Sequence, residues 1–312
     1  MTDASSHAGT AALMKKAAFA SLAVSLLLVS IKAFAYFASH SVAMLASMAD
    51  SALDLFTSSL NLFAIRSALT PADKEHRFGH GKAEPLAGLA QAAFICASAL
   101  FLVVQAVQRL LNPQPIENSL QALLVMAVSI AAAIGLIFYQ RQVVKKTHSL
   151  AVHADATHYL ADLATNIGVV VALVLAAYLH WELADPVIAI AVAGIMVVSA
   201  LGVGRTSLDQ LMDHELPDQD RARIKRIAMA HDAVKNIHEL KTRMAGLSTF
   251  IQIHVELDPQ MRLLEAHAIS DAVERAIRHA YPNAEVIIHQ DPAGLEQPPA
   301  DTTDDTPPRP GP

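Results

Sequence analysis

Five stretches of this chain are mainly apolar for roughly 20 residues or more, at about 15–37, 41–66, 86–110, 119–140 and 151–179, and a shorter sixth lies at about 186–204. A helix of that length crosses the hydrocarbon core of one bilayer. Composition points the same way: 53% hydrophobic, 17% charged and a mean hydropathy of +0.36 are too apolar for an ordinary soluble domain of 312 residues. From Arg205 onward charges become frequent and no stretch could span a membrane. The expected organisation is an N-terminal cytoplasmic tail (1–14), a six-span transmembrane domain (15–206), a soluble domain (207–295) and a tail (296–312). That tail, "EQPPADTTDDTPPRPGP", is rich in Pro, Asp and Thr and reads as disordered.

Lys15, Lys16, Arg66, Lys74, Arg77, Lys82, Arg141, Lys145, Lys146 and Arg205 fall on one side of these spans, and Arg109 alone on the other, with Lys32 able to snorkel outward. Both termini and the soluble domain are therefore expected in the cytoplasm. Lys15-Lys16, the apolar run after them and Ala33-Phe34-Ala35 imitate a secretion signal, but the run is too long, Lys32 interrupts its end and further spans follow at once. The single cysteine, Cys96, excludes an intrachain disulfide and thiolate metal clusters. A net charge of −6 without a basic stripe argues against nucleic acid.

The second span carries two carboxylates in "DSALD". An ionised aspartate at a helix centre costs about 2.5–3.5 kcal/mol on insertion scales, so Asp50 and Asp54 together cost roughly 5–7 kcal/mol unless something offsets them. Their i, i+4 spacing puts both on one helical face, which Thr57, Ser58 and Asn61 continue toward the cytoplasm. The fifth span repeats the device in "HYLAD", with His158 and Asp162 at i, i+4, then Thr165 and Asn166. Asp54 lies eleven residues from Ile65, and Asp162 eleven from Ala151. At 1.5 Å per residue that is roughly 16 Å from each cytoplasmic end. If the two helices pack together, three carboxylates and an imidazole converge near mid-membrane, the N/O set that a tetrahedral divalent metal accepts, with no lysine or arginine nearby to neutralise the acids instead. Packing glue, the bland role of buried Ser, Thr and Asn, fits such a set badly. His153 and Asp155, near the cytoplasmic start of the same span, read as mouth or solvated residues.

Between spans two and three, "PADKEHRFGHGKAE" places Asp73, His76 and His80 within eight residues, and Gly79 and Gly81 let the backbone fold tightly around a ligand. In the soluble domain the periodicity predicts helix 218–231, strands 234–243 and 248–257 joined at "MAGLS", helix 263–281 and strand 284–290, an αββαβ α+β domain with helices on a sheet, ferredoxin- or metallochaperone-like. Alternation in "FIQIHVEL" puts Ile251, Ile253, Val255 and Leu257 toward the core and Gln252, His254 and Glu256 on the other face. His289 and Asp291 share a face at i, i+2. With His238 and His267 these residues are enough for one or two metals, although spacing alone does not bring them together.

Taken in order, "DSALD", "PADKEHRFGHGKAEPLA", "HYLAD", "FIQIHVEL" and "VIIHQDP" resemble the cation diffusion facilitators, most closely their bacterial zinc and ferrous-iron efflux members, over about residues 12–295. The resemblance implies a homodimer of six-span subunits in the bacterial inner membrane, each exporting a divalent cation in exchange for protons. It implies a transport site of Asp50, Asp54, His158 and Asp162, and a looser site of Asp73, His76 and His80. In the cytoplasmic domain it implies a binuclear site, His238 and His254 for one ion and His267 and His289 for the other, with Asp291 bridging. Lys82 and Asp213 match the charge pair that ties the two domains together across the dimer. The mixed acid and histidine quartet resembles that of zinc, cadmium and iron exporters, whereas manganese members tend to place amides there. Zn2+ is thus the expected cargo and regulatory ion, with Fe2+ and Cd2+ as alternatives. No enzymatic nucleophile or separate general base accompanies the quartet, which disfavours a membrane metalloenzyme. A metal-gated channel, or a sensor without transport, is the other alternative.

Overall fold

A computed structural model describes residues 2–39, 42–111, 120–179 and 183–294. The 296–312 tail lies outside the described residues. Two compact units meet in sequence between Leu211 and Met212.

The first unit is a bundle of six helices: α1 (Thr2–Ser39), α2 (Val42–Ala68), α3 (Ala83–Leu111), α4 (Leu120–Thr147), α5 (Leu150–Leu179) and α6 (Ala184–Leu211). Apolar residues lie on its outside: Phe34 is 78% exposed, Phe63 71% and Val198 72%. Its interior is lined by small residues, among them Ala99, Ala161, Ala193 and Ala200, packed with Ile95 and Met196. Helices bathed in lipid gain nothing from hiding their leucines and associate instead through small residues and close packing. Among the described residues four helices, α1, α3, α4 and α6, are long and apolar enough to cross a membrane. The remaining two, α2 and α5, carry the ionisable pairs. α6 runs past the expected boundary at 206 to Leu211, because "RTSLDQL" contains no glycine or proline to stop it. The chain turns away only at Asp213, whose φ is 56°.

The second unit keeps the expected element order: α7 (Asp218–Met229), β1 (Asn236–Ala245), β2 (Ser248–Leu257), α8 (Leu263–Ala280) and β3 (Ala284–Pro292). β2 is central, antiparallel to β1 and parallel to β3. The hairpin closes through Gly246 at φ 60°, a first central turn position where a β-carbon would be strained. Ile251, Ile253, Val255 and Leu257 are all buried against Ile224, Val273 and Ile277. Glu256 departs from the alternation, being buried although it lies on the outer face. Asn236 Nδ2 donates to its Oε1 at 2.7 Å, and His238 Nδ1 lies 3.2 Å away, so polar partners rather than apolar packing cover it.

Candidate functional site

The hydroxyls of Ser21 in α1 and Ser58 in α2 lie 3.0 Å apart, and Tyr159 Oη of α5 lies 3.1 Å from Ser58 Oγ, so one buried cluster sets the mutual depth of three helices. At its lower end α5 is capped twice. The N–H of Val152 donates to Ser149 Oγ at 3.2 Å, and the N–H of Ala151 donates to the buried Glu84 carboxylate of α3 at 3.1 Å. Ser149 Oγ also donates to Glu84. A carboxylate among these orphan N–H groups complements the positive end of the helix.

One residue before Tyr159, His158 faces α2. Its Nε2 lies 3.2 Å from Asp54 Oδ1 and 3.7 Å from Asp162 Oδ2. The three ligand atoms lie within 4.8 Å of one another. Asp50 is outside this set. It is exposed, one turn earlier in α2, and its electrostatic neighbours are Asp54, Lys32 and His158. Lys32 corrects the expectation that it snorkels away and that no cation lies near the acids. Its Nζ donates to Ser51 Oγ at 2.6 Å and acts electrostatically on Asp50 and Asp162. α1 packs alongside α2 and brings the buried Ser51 hydroxyl within reach of Lys32.

Asp155 is the second correction. Far from a solvated mouth, it is completely buried, while His153 is exposed. Gln91 Nε2 of α3 donates to Asp155 Oδ1 at 3.1 Å, and Gln140 Nε2 of α4 to Oδ2 at 2.6 Å. Its signal was present in the sequence as two glutamines inside apolar spans. Removing a partner from a buried donor costs about 1–3 kcal/mol. Asp155→Ala, which strands two, is therefore expected to lower the melting temperature of the purified protein clearly more than His153→Ala, as read by thermal unfolding.

In the loop, the backbone N–H groups of His76 and Glu75 donate to Asp73 Oδ1 at 2.6 and 2.9 Å. These bonds, that of His76 foremost, hold the exposed Asp73 carboxyl below the usual carboxylate range and leave it ionised for a cation. His76 Nδ1 lies 3.4 Å from Oδ1 and His80 Nε2 lies 3.5 Å from Oδ2. Gly79, at φ 79°, turns the chain so that the two imidazoles meet with centroids 4.5 Å apart. His80 Nδ1 is buried with no hydrogen-bond partner among the described residues.

Sheet register does in the second unit what spacing could not. His238 pairs with His254, and His254 with His289, a row of three imidazoles across β1, β2 and β3. Centroid separations are 5.1 and 4.5 Å. Asp291 lies beneath the row: its Oδ2 is 2.8 Å from His254 Nδ1 and 3.4 Å from His238 Nε2, and its Oδ1 is 3.3 Å from His289 Nε2. The ligand atoms of His238, His254 and Asp291 lie within 4.8 Å of one another. Glu239, which spacing did not single out, has φ 43° beside a bulge in β1 and brings Oε2 to 3.9 Å from His254 Nε2. His267, on α8, lies 3.8 Å from Asp271 one turn along the same helix. Lys82 Nζ donates to the Leu211 carbonyl at 3.3 Å within the first unit, and Asp213 pairs with Arg243 at 3.2 Å within the second.

All three groups therefore pair imidazole nitrogen with carboxylate oxygen and contain no thiolate. This donor set suits a borderline divalent ion, with a position left for a further ligand.

Comparison with known proteins gives the chain its place. A family model described as the cation efflux transmembrane domain matches residues 18–212, and one described as the cation efflux protein, cytoplasmic domain, matches residues 216–293. The chain is 44% identical to the cation-efflux pump FieF of Shewanella oneidensis over 283 residues, which cover 91% of this chain and 95% of that relative. FieF of Klebsiella pneumoniae is 41% identical over 283 residues, 91% of this chain and 94% of its own. That of Yersinia enterocolitica is 40% identical over 285 residues, 91% and 95%. With both domains present in order and relatives aligned over nine-tenths of its length, the chain belongs to the cation efflux family, the cation diffusion facilitators.

Proposed function

We propose that this protein exports a divalent metal cation, Zn2+ foremost and Fe2+ or Cd2+ as alternatives, from the cytoplasm in exchange for protons. The carrying observation is the closed set of Asp54, His158 and Asp162 on two helices that share a polar stripe. It acts as a homodimer of six-span subunits in the bacterial inner membrane, with both termini cytoplasmic. The bacterial efflux-pump relatives support that assignment.

Asp50 is exposed and Asp54 and Asp162 are partly buried, whereas Thr57, Ser58, Asn61, Asp155 and Tyr159 are buried. Alternating access would open this polar path to its two sides in turn. Ligands must be deprotonated to hold metal, so loading from the cytoplasm releases protons, and protonation from the far side helps expel the ion. The imidazole–carboxylate row of the second unit senses cytoplasmic metal: ions there favour one subunit arrangement and bias the spans through differential binding. Loop residues Asp73, His76 and His80 hold a further, weaker ion, and Lys82 and Asp213 form the charge pair between domains across the dimer.

In proteoliposomes carrying an imposed proton gradient, zinc is expected to move against its own concentration gradient, and collapse of the proton gradient by an ionophore is expected to stop it. Zinc movement only down its gradient, indifferent to pH, would be that of a channel and would contradict the proposal.

A further inference from the structure

Resting on that reading, we infer that Lys32 is a tethered counter-cation of the transport site, balancing Asp50 while the ion is absent and yielding that carboxylate when the ion arrives.

Lys32 lies in the apolar run of α1, where a charged side chain is expensive and calls for a partner. Its ammonium sits on Ser51, the residue after Asp50 and three before Asp54. Asp50 and Asp162 both feel its charge. The two ends of the site therefore differ in charge. Toward the start of α5 lie the Ser58 and Tyr159 hydroxyls and the buried Asp155 carboxylate with its glutamine donors. Toward the start of α2 stands a fixed positive charge. On this inference Asp50, which stands outside the set of Asp54, His158 and Asp162, is the carboxylate for which metal and ammonium compete.

A fixed cation beside the acids weakens their hold on any divalent ion, an opposition of like charges that falls off slowly with distance in a medium of low dielectric. Weaker holding is useful to a transporter, which must release what it binds. The signature follows: removing the positive charge should tighten binding and slow release, whereas loss of a merely structural lysine would loosen binding or leave it unchanged. In kinetic terms KM and turnover should fall together.

The test uses the full-length protein with Co2+ as a spectroscopic probe, in a background where Asp73→Ala and His238→Ala silence the loop and cytoplasmic groups. Lys32→Met is expected to bind Co2+ about tenfold more tightly than its parent, the order expected for one charge at short range. In proteoliposomes of the otherwise unaltered protein it is expected to show lower KM and lower turnover for zinc. Lys32→Arg should restore both. Should Lys32→Met not fold, Ser51→Ala, which frees the ammonium from its anchor, is expected to tighten binding by a smaller factor. Affinity equal to or weaker than the parent's in a folded Lys32→Met, or in Ser51→Ala where the former does not fold, overturns the inference. A parent that binds no Co2+ and a wild type that moves no zinc would instead overturn the proposed function, so the two failures are distinguishable.

Discussion

Asp54→Asn is expected to reduce proton-driven zinc flux by at least about a hundredfold, a loss of roughly 2.7 kcal/mol in ion stabilisation. Partners that merely orient a metal ligand cost 10–100-fold when removed, and Asp54 is one of only three donors in the closed set. Its oxygen is also the nearest to His158, at 3.2 Å. An asparagine keeps the size and one acceptor, so the fold persists while the charge is lost. Initial rates of zinc uptake, normalised to protein incorporated, measure the effect. Flux from Asp54→Asn within a few-fold of wild type would remove this aspartate from the ion path. Asp50→Asn should have the smaller effect, since Asp50 stands apart from the set of Asp54, His158 and Asp162.

The second large effect concerns His254. Lying on the central strand, it is register partner to both His238 and His289 and sits 2.8 Å from Asp291, so both imidazole–imidazole contacts of the row are its own. An ion held at a hundred times its dissociation constant stabilises the folded state by about 2.7 kcal/mol. For a domain of this size that corresponds to roughly 10 °C or more in melting temperature. Zinc is therefore expected to protect the amides of β1 and β2 from hydrogen exchange in the full-length wild type and to leave those of His254→Ala nearly unprotected. Equal protection in both would separate the histidine row from metal binding.

Much of this was legible in the sequence because helical spacing is local. The i, i+4 pairs and their matched depths followed from counting, and α2 and α5 place Asp54, His158 and Asp162 together as that count implied. What escaped was everything that depends on how one element is set against another. Lys32 was read as snorkelling because the chain does not state that Ser51 of the next helix lies within its reach. Asp155 was read as solvated because its partners, Gln91 and Gln140, belong to two other helices. In the second unit the alternation of β2 was readable, but the row of His238, His254 and His289 depends on strand register. Glu256 broke the alternation for a chemical reason: Asn236 and His238 make its burial tolerable.

The central claim is that the intramembrane acids are there to hold a travelling divalent ion. Its most direct measurement is the anomalous scattering of zinc from crystals of the full-length protein grown with the metal. The account predicts a peak between α2 and α5, ligated by Asp54, His158 and Asp162, with Asp50 drawn into the same set. A peak confined to the loop and cytoplasmic groups, with the membrane carboxylates bonded only to one another or to Lys32, would contradict it.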